Sequence, residues 1–528
     1  MTTTSPSTST HEKRTVTLVF AALMLVMLLA SLSQTVLSTA LPTIVGSLDG
    51  ADHIAWVMTA YLLGMTVTMP IYGRLGDRVG RKPMLLIAIT LFTIGSLVGA
   101  LAQDMTVLIA GRAVQGLGGG GLMVLSQAAI ADVVPARDRG KYMGILGAVF
   151  GLSSVAGPLL GGWFTEGPGW RWTFWINVPL GVIAAVAVVA LLHKPTVERA
   201  RTRVDFLGMA LLAIATSALI LAATWGGHQY DWASPQIIGL LVTTVVGAIA
   251  FVAVERRAEE PVMPLALFRD RNFNLTTVGV IILGVAMFGS LSYLPTYLQM
   301  SVGVDATHAG LMMIPMMGGM LVTSIVVGQA VSRTGTYRWY PIAGALVTGL
   351  GLFLLSTIEI GDSRLQIEGS LLVLGIGIGL GMQILTLIVQ NSFSHRIVGT
   401  ATAANNYFRQ VGGTLGAAAV GSIFTSRLTE SLATKLPSAG EAHGGSSSLT
   451  PDSVAHLPQE IHDIVVTAYN GALMPIFLWL APLTLVSALV LWFVHEKPLR
   501  HTIEASQQEE SLGERTLDAT EAMTGAER

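Results

Sequence analysis

Fourteen times along this chain an apolar run appears that is long enough to cross about 30 Å of hydrocarbon, each close to the roughly 20 residues that a spanning helix needs. Bounded by charge, proline or polar clusters, the first seven cover 17–41, 54–72, 84–101, 106–129, 141–163, 172–192 and 206–225. The other seven cover 236–255, 273–299, 309–330, 340–358, 368–390, 400–426 and 466–494. The pattern predicts an all-α integral membrane protein. Its first run follows a polar leader ending His11-Glu12-Lys13-Arg14 and is too long for a cleaved signal peptide, so it reads as a retained helix.

Composition sharpens this. The chain is 52% hydrophobic and 12% charged, against about 25% charged in soluble domains. A net charge of -2 offers no basic field for nucleic acid. Zero cysteines exclude disulfides, thiolate chemistry and cysteine-held metals. The eleven histidines fall almost wholly in loops and tails with no metal spacing, so neither metal nor cofactor is expected. The chain has no phosphate-cradling Gly-x-x-x-x-Gly-Lys-Ser/Thr, which argues against nucleotide drive. It also has no Gly-x-Ser-x-Gly, no His-Glu-x-x-His and no intramembrane carboxylate pair, so an enzyme is not the reading.

Basic residues orient the spans, because cytoplasmic loops collect Lys and Arg. With the N-terminus inside, twenty-four of the thirty fall on cytoplasmic segments. Arg171, Arg364, Arg427 and Lys435 fall outside, and Arg112 and Arg409 lie within spans. The expectation is a multi-pass protein of the inner (cytoplasmic) membrane with both termini cytoplasmic.

An internal repeat organises the helices. Gly73-Arg-Leu-Gly-Asp-Arg78-Val-Gly80 and Gly328-Gln-Ala-Val-Ser-Arg333-Thr-Gly335 share their Gly, Arg and Gly at an offset of 255. The same offset carries the first span onto the ninth and the fifth onto the thirteenth. The predicted layout is a cytoplasmic leader (1–16), a six-helix bundle (17–192) and a linker with two inserted helices (193–272). A second six-helix bundle (273–494) follows, with a Gly/Ser/Pro-rich outside loop (427–465). An acidic, disordered cytoplasmic tail (495–528) ends the chain.

Three ordered motifs now carry a resemblance. Gly73-Arg-Leu-Gly-Asp77-Arg78-Val-Gly80-Arg81-Lys82 resembles the loop 2-3 signature of the major facilitator superfamily. Leu108-Ile-Ala-Gly-Arg112-Ala-Val-Gln115-Gly116 resembles its fourth-helix motif, and Gly157-Pro158-Leu-Leu-Gly161 its fifth-helix exporter motif. Within that superfamily the chain is similar to the fourteen-helix drug:proton antiporters, which also matches Trp170-Arg171-Trp172 and Arg409-Gln410-Val-Gly412-Gly413. The implied fold is the major facilitator fold, two six-helix bundles plus two inserted helices.

The resemblance implies that Gly73, Asp77, Arg78, Gly80 and Arg81 form a latch closing the cytoplasmic side, with Asp132 as ion partner. The residues themselves allow this, since a carboxylate there can accept from a helix N-terminus; they equally allow mere orienting charge. Arg112 should face the bundle interior and find acceptors such as Gln115, because an arginine facing lipid at mid-helix costs ~2.5 to 3.5 kcal/mol. By resemblance it serves coupling or the substrate path. Arg409, deeper in its span, reads either as part of that path or as an interhelical clamp. Gly144, Ser153, Gly157, Pro158 and Gly161 give the fifth span a bent, small-residue surface.

The branch commonly has aspartate where Ser33 stands, and all thirty-two acids fall in loops, tails or near span ends, so the proton carrier is unassigned. Asp132 is ranked first, ahead of Asp77, Glu166 and deprotonation equilibria around Arg112. Without a central acid, neutral or amphiphilic substrates fit better than cations. Cavity candidates are Met287, Tyr293, Tyr297, Met313, Met316 and Met317, soft side chains equally suited to helix packing. Polar or aromatic interior candidates are Ser33, Gln34, Trp56, Tyr61, Gln127, Gln383 and Asn406.

The leading expectation is a secondary active exporter of hydrophobic or amphiphilic drugs, working by proton antiport and alternating access. A dedicated exporter of a lipid or secondary metabolite is the alternative; a membrane-embedded enzyme or sensor is remote. Expected partners are small hydrophobic substrates, protons and membrane lipids, with the monomer as working unit.

Overall fold

The computed structural model describes residues 10–48, 53–192, 205–227, 229–435, 454 and 458–499. The acidic tail from 500 onward, the first nine leader residues and the stretch Gly444–Pro451 of the outside loop lie outside the described residues.

A helix stands at each of the fourteen expected positions. The first half comprises α1 (Thr10–Ser47), α2 (Ile54–Val79), α3 (Arg81–Ala100), α4 (Met105–Val133), α5 (Ala136–Glu166), α6 (Trp172–Trp175) and α7 (Asn177–Leu191). The inserted pair is α8 (Phe206–Trp225) and α9 (Pro235–Glu255). The second half comprises α10 (Arg271–Leu291), α11 (Leu294–Ser301), α12 (Ala306–Met312), α13 (Ile314–Thr334), α14 (Trp339–Ser356), α15 (Arg364–Ser392), α16 (Val398–Lys435) and α17 (Gln459–Trp492). Among the described residues, twelve helical stretches are long and apolar enough to cross a membrane, and α2 and α16 occupy the other two positions.

Local chemistry sets the helix ends. Asp104, Asp205, Ser234, Asp270, Asp305 and Ser363 each accept a bond at a helix start from the backbone N–H three residues on, which satisfies donors that the helix cannot. Prolines divide two expected spans. Pro295 opens α11 and Pro315 opens α13, so 273–299 and 309–330 each become two helices.

Three boundaries differ from the sequence reading. The first helix begins at Thr10, inside the expected leader. Between Gly421 and Pro437 nothing breaks the helical pattern, so α16 runs to Lys435 and, with α17 starting at Gln459, consumes both ends of the expected outside loop 427–465. The expected disordered tail is held through 499: Tyr337 donates to the Lys497 carbonyl at 2.9 Å, Lys497 reaches Asp270 at 2.9 Å, and Leu499 is buried.

Each half has its own core. α3 and α2 pack on α4 and α1 packs on α5 in the first half; α14 packs on α15 and α10 on α16 in the second. One core is built from residues such as Leu23, Met27, Phe92 and Leu122, the other from Leu294, Met316, Leu374 and Phe477. The halves meet along two seams, α2 with α16 and α5 with α13. The inserted α8 lies on the first seam, where Thr216 bonds the Tyr407 hydroxyl at 2.8 Å and Trp225 stacks edge-on against Trp56.

Candidate functional site

The seams converge on the face that carries Arg81 and Arg137, called the basic face below. Arg81 begins α3 directly after Gly80, whose φ of 106° is open to glycine but strained for other residues. That sharp turn places Asp77, in the last turn of α2, under the first turn of α16 on the other half. Asp77 accepts from the Gly399 N–H at 3.1 Å and from both the N–H and the hydroxyl of Thr400 at 2.6 Å. It also pairs with Arg81, which reaches Asp132 at 3.1 Å.

Only 2% of the Asp77 side chain is exposed, against 38% for Asp132. Asp77 thus caps a helix across the interface, where a carboxylate faces orphan N–H groups and the positive end of the helix dipole. Just past the expected span 54–72, burial pushes its carboxyl up, against the pull of Arg81 and Thr400. Gly73 lets α2 and α16 touch: a Cβ there would stand 2.9 Å from the Gly399 carbonyl oxygen. Arg78 sits in the same last turn of α2.

The repeat supplies a counterpart on the other seam. Gly335 ends α13 in the left-handed conformation at φ 79°, sharing with Gly80 a positive φ. Ser332 occupies the place of Asp77, and its hydroxyl accepts from the Lys141 N–H at 3.2 Å. Arg137 donates to the carbonyls of Ser332 and Arg333 at 3.0 and 2.7 Å. Arg139 donates to Ala131 and to Gln390, tying the ends of α4 and α15 together.

The fifth-helix motif divides by face. Toward the basic end, side chains at Gly144 and Gly140 would collide with α13 backbone at Ser324 and Gly328, so α5 and α13 lie in backbone contact. Toward the opposite end, Gly157 and Gly161 instead receive Thr35 and Val36 of α1. Thr35 donates to the Ser153 carbonyl at 2.9 Å, while the Ser153 hydroxyl bonds Val149 within its own helix. Pro158 lies inside α5 without ending it.

Arg112 is 0% exposed. It donates to the Gln115 side-chain oxygen at 2.5 Å and to the Val57 carbonyl at 3.3 Å, and its guanidinium lies 4.1 Å from the centre of the Tyr61 ring. Gln115 in turn donates to Ser33 at 2.9 Å and to Ser96 at 2.7 Å. This network stays within the first half. Arg409 pairs with Asn406, whose amide donates to the Gln127 side-chain oxygen on α4 at 2.8 Å. Gln390 donates to the Gln127 carbonyl at 3.2 Å, so this second network crosses between halves.

The soft side chains gather in the second half. Met313, Met316 and Met317 lie in the second-half core, with half-buried Met287 packed against it. Tyr297 donates to Asn470 at 2.8 Å and Tyr293 to the Ala417 carbonyl at 3.3 Å, both within that half. Trp56 packs on the inserted Trp225, and Gln34 is half-buried. Gln383 packs across the interface against Gly147. The sequence reading passed over Gln390, Asn405, Thr400 and Ser332. A signal existed for two of them: Gln390 stands seven residues from Gln383 on one helix face, and the offset of 255 carries Asp77 onto Ser332.

Residues 23–417 match the family model described as Major Facilitator Superfamily. The chain is 40% identical to an uncharacterised MFS-type transporter of Mycobacterium tuberculosis (strain ATCC 25618 / H37Rv), over 91% of this chain and 70% of that one. It is 32% identical to Multidrug resistance protein 3 of Bacillus subtilis (strain 168), over 95% and 99% respectively. The human organic anion transporter MFSD10 superposes with a TM-score of 0.62 at 16% identity, over 92% of this chain and 100% of that structure, a likeness of fold alone. Two helical bundles meeting at repeat-related seams, together with a family match over most of the length, establish that this chain belongs to the Major Facilitator Superfamily.

Proposed function

We propose that the chain is a secondary active exporter of hydrophobic or amphiphilic compounds, working by alternating access and driven by proton antiport. The basic face is the cytoplasmic one, closed in the conformation described. The observation that carries this reading is the Asp77 cap: one half's buried carboxylate holds the other half's helix start through three hydrogen bonds. Such a joint has two discrete states, capped and open, as a rocking transporter requires. Around it, α1 packs on α4, α5 and α7 of its own half, and α10 on α15, α16 and α17 of its own.

Proton drive is energetically sufficient, since one charge moving through about 100 mV supplies about 2.3 kcal/mol, enough for a roughly fifty-fold gradient. Each acid in the described helices lies at or near a helix end. Asp77 is the one among the candidates whose backbone and hydroxyl donors come from the opposite half, so opening or closing the basic face changes both its hydrogen bonds and its burial, the two quantities that set its proton affinity. That ranks Asp77 above Asp132 as the proton site.

Reconstituted protein in liposomes should expel several unrelated hydrophobic drugs, faster under an imposed pH gradient and not at all with a protonophore. Efflux that ignores both would remove antiport. Transport of a single compound, uncompeted by the others, would favour a dedicated metabolite exporter.

A further inference from the structure

Arg409 lies eleven residues into α16, about 16 Å along the helix from the basic face. It is 7% exposed, it donates to neutral Asn406, and among the described residues no carboxylate pairs with it. The helices packed against α16 do not offer one at that depth. Those of α2, α4 and α15 sit in terminal turns as Asp77, Asp132 and Glu368; α8 and α10 have none; Glu460 and Asp463 open α17 at the far side. A guanidinium buried among apolar helices without a counter-charge is costly, and its usual remedy is an anion.

The neighbours are also underused. On the two sides of the interface, the Gln127 and Asn405 amide nitrogens are buried donors without partners. The side-chain oxygens of Gln383 and Gln390 are buried acceptors without partners. Gln127 belongs to α4, Gln383 and Gln390 to α15, and Asn405 and Arg409 to α16. These are the elements that separate when the basic face opens, breaking the Asn406 and Gln390 bonds to Gln127. Gln390 meets Gln127 and Thr402 where α4, α15 and α16 join, and Gln383 lies two turns along α15 against Gly147 of α5; four unpartnered polar atoms along this interface between the halves are too many for a simple clamp, since native interiors leave few such groups.

We propose that this cluster is the headgroup site for an anionic amphiphile, a carboxylate on an apolar body, with Arg409 as its counter-cation. Gln127 and Asn405 donate to the carboxylate oxygens, and Gln383 and Gln390 accept hydrogens from an adjoining hydroxyl or amide. The site takes its ligand from the basic face and is rebuilt around it as the seam closes, which rests on the export reading above.

The test compares 11-dansylamino-undecanoic acid with its methyl ester, titrated by fluorescence into the full-length protein in nanodiscs and corrected for empty nanodiscs. The acid should bind at least tenfold more tightly than the ester. Arg409→Gln should collapse that difference, and Arg409→Lys, which keeps the charge but not the planar fork, should retain part of it. Should Arg409→Gln not give a folded sample, displacement of the probe from wild type by undecanoate but not by methyl undecanoate makes the same distinction. Equal binding of acid and ester, or an unchanged preference in Arg409→Gln, overturns the site. Liposome efflux of an uncharged dye separates the two readings. Acid preference without efflux leaves the site and removes the exporter; efflux without acid preference does the reverse.

Discussion

The two seams that join the halves are copies in geometry and opposites in chemistry. Each pairs the second helix of one repeat with the fifth of the other, and each ends its second helix at a positive-φ glycine, Gly80 or Gly335. At the position between, one seam has Asp77, almost wholly buried, charged and bonded to three donors of α16. The other has Ser332, half-buried, neutral and accepting one N–H at 3.2 Å. The α5–α13 seam compensates with backbone contact at Gly140, Gly144 and Gly328. One seam is therefore held by a charge that a proton can cancel, the other by shape. In the export mechanism proposed above, the charged seam is the latch and the shape-held seam the bearing.

The largest expected effect comes from breaking the charged seam. Asp77→Ala leaves Arg81 buried with Asp132 alone, and losing one member of a buried pair costs about 3–5 kcal/mol. Hydrogen exchange over the first turn of α16 should rise at least a hundredfold and transport should collapse; unchanged protection there would mean that Asp77 is not the latch. Next is the shape-held seam. Gly328→Leu puts a side chain into the Gly140 backbone, an overpacking penalty of about 1–3 kcal/mol. A lower Tm together with slower turnover is expected, and wild-type values of both would show that the helices are not in close contact.

Ser332→Asp sharpens the comparison, because it installs a charged cap beside Arg137. At about 0.3–1 kcal/mol for an acid at a helix start, turnover should slow two- to fivefold, with firmer protection over 137–141. Acceleration instead would break the proposed equivalence of the two positions. Ser332→Ala is the smallest change, one hydroxyl worth about 0.5–1.5 kcal/mol, and transport within about twofold of wild type is expected. A loss as deep as that of Asp77→Ala would erase the distinction between latch and bearing.

Much of this was legible along the chain. Repeated Gly, Arg and Gly at an offset of 255 related the two glycine-bounded helix ends that the structure puts at the two seams, and the apolar runs placed a helix at every span. Arg112 beside Gln115 reads from helical spacing, since residues three apart share a face; their bond is at 2.5 Å. Less legible was what each small or soft residue faces. Gly144 and Gly157 belong to one motif, yet the first meets α13 and the second α1. Met316 and Met317 fill a bundle core, because a methionine stripe looks the same from the sequence whether it lines a chamber or packs a neighbour.

Periodicity and charge by themselves determined that the chain crosses a membrane in two related halves, because hydrocarbon thickness and unpaired backbone groups leave few other solutions. Only the tertiary structure decided which partners meet across those halves: Asp77 with the start of α16, Gln127 with Asn406, and Arg409 with no carboxylate among the described residues. Those pairings join residues some 280 to 320 positions apart, and their strength depends on ångström-scale approach and burial, which no local pattern of residues encodes.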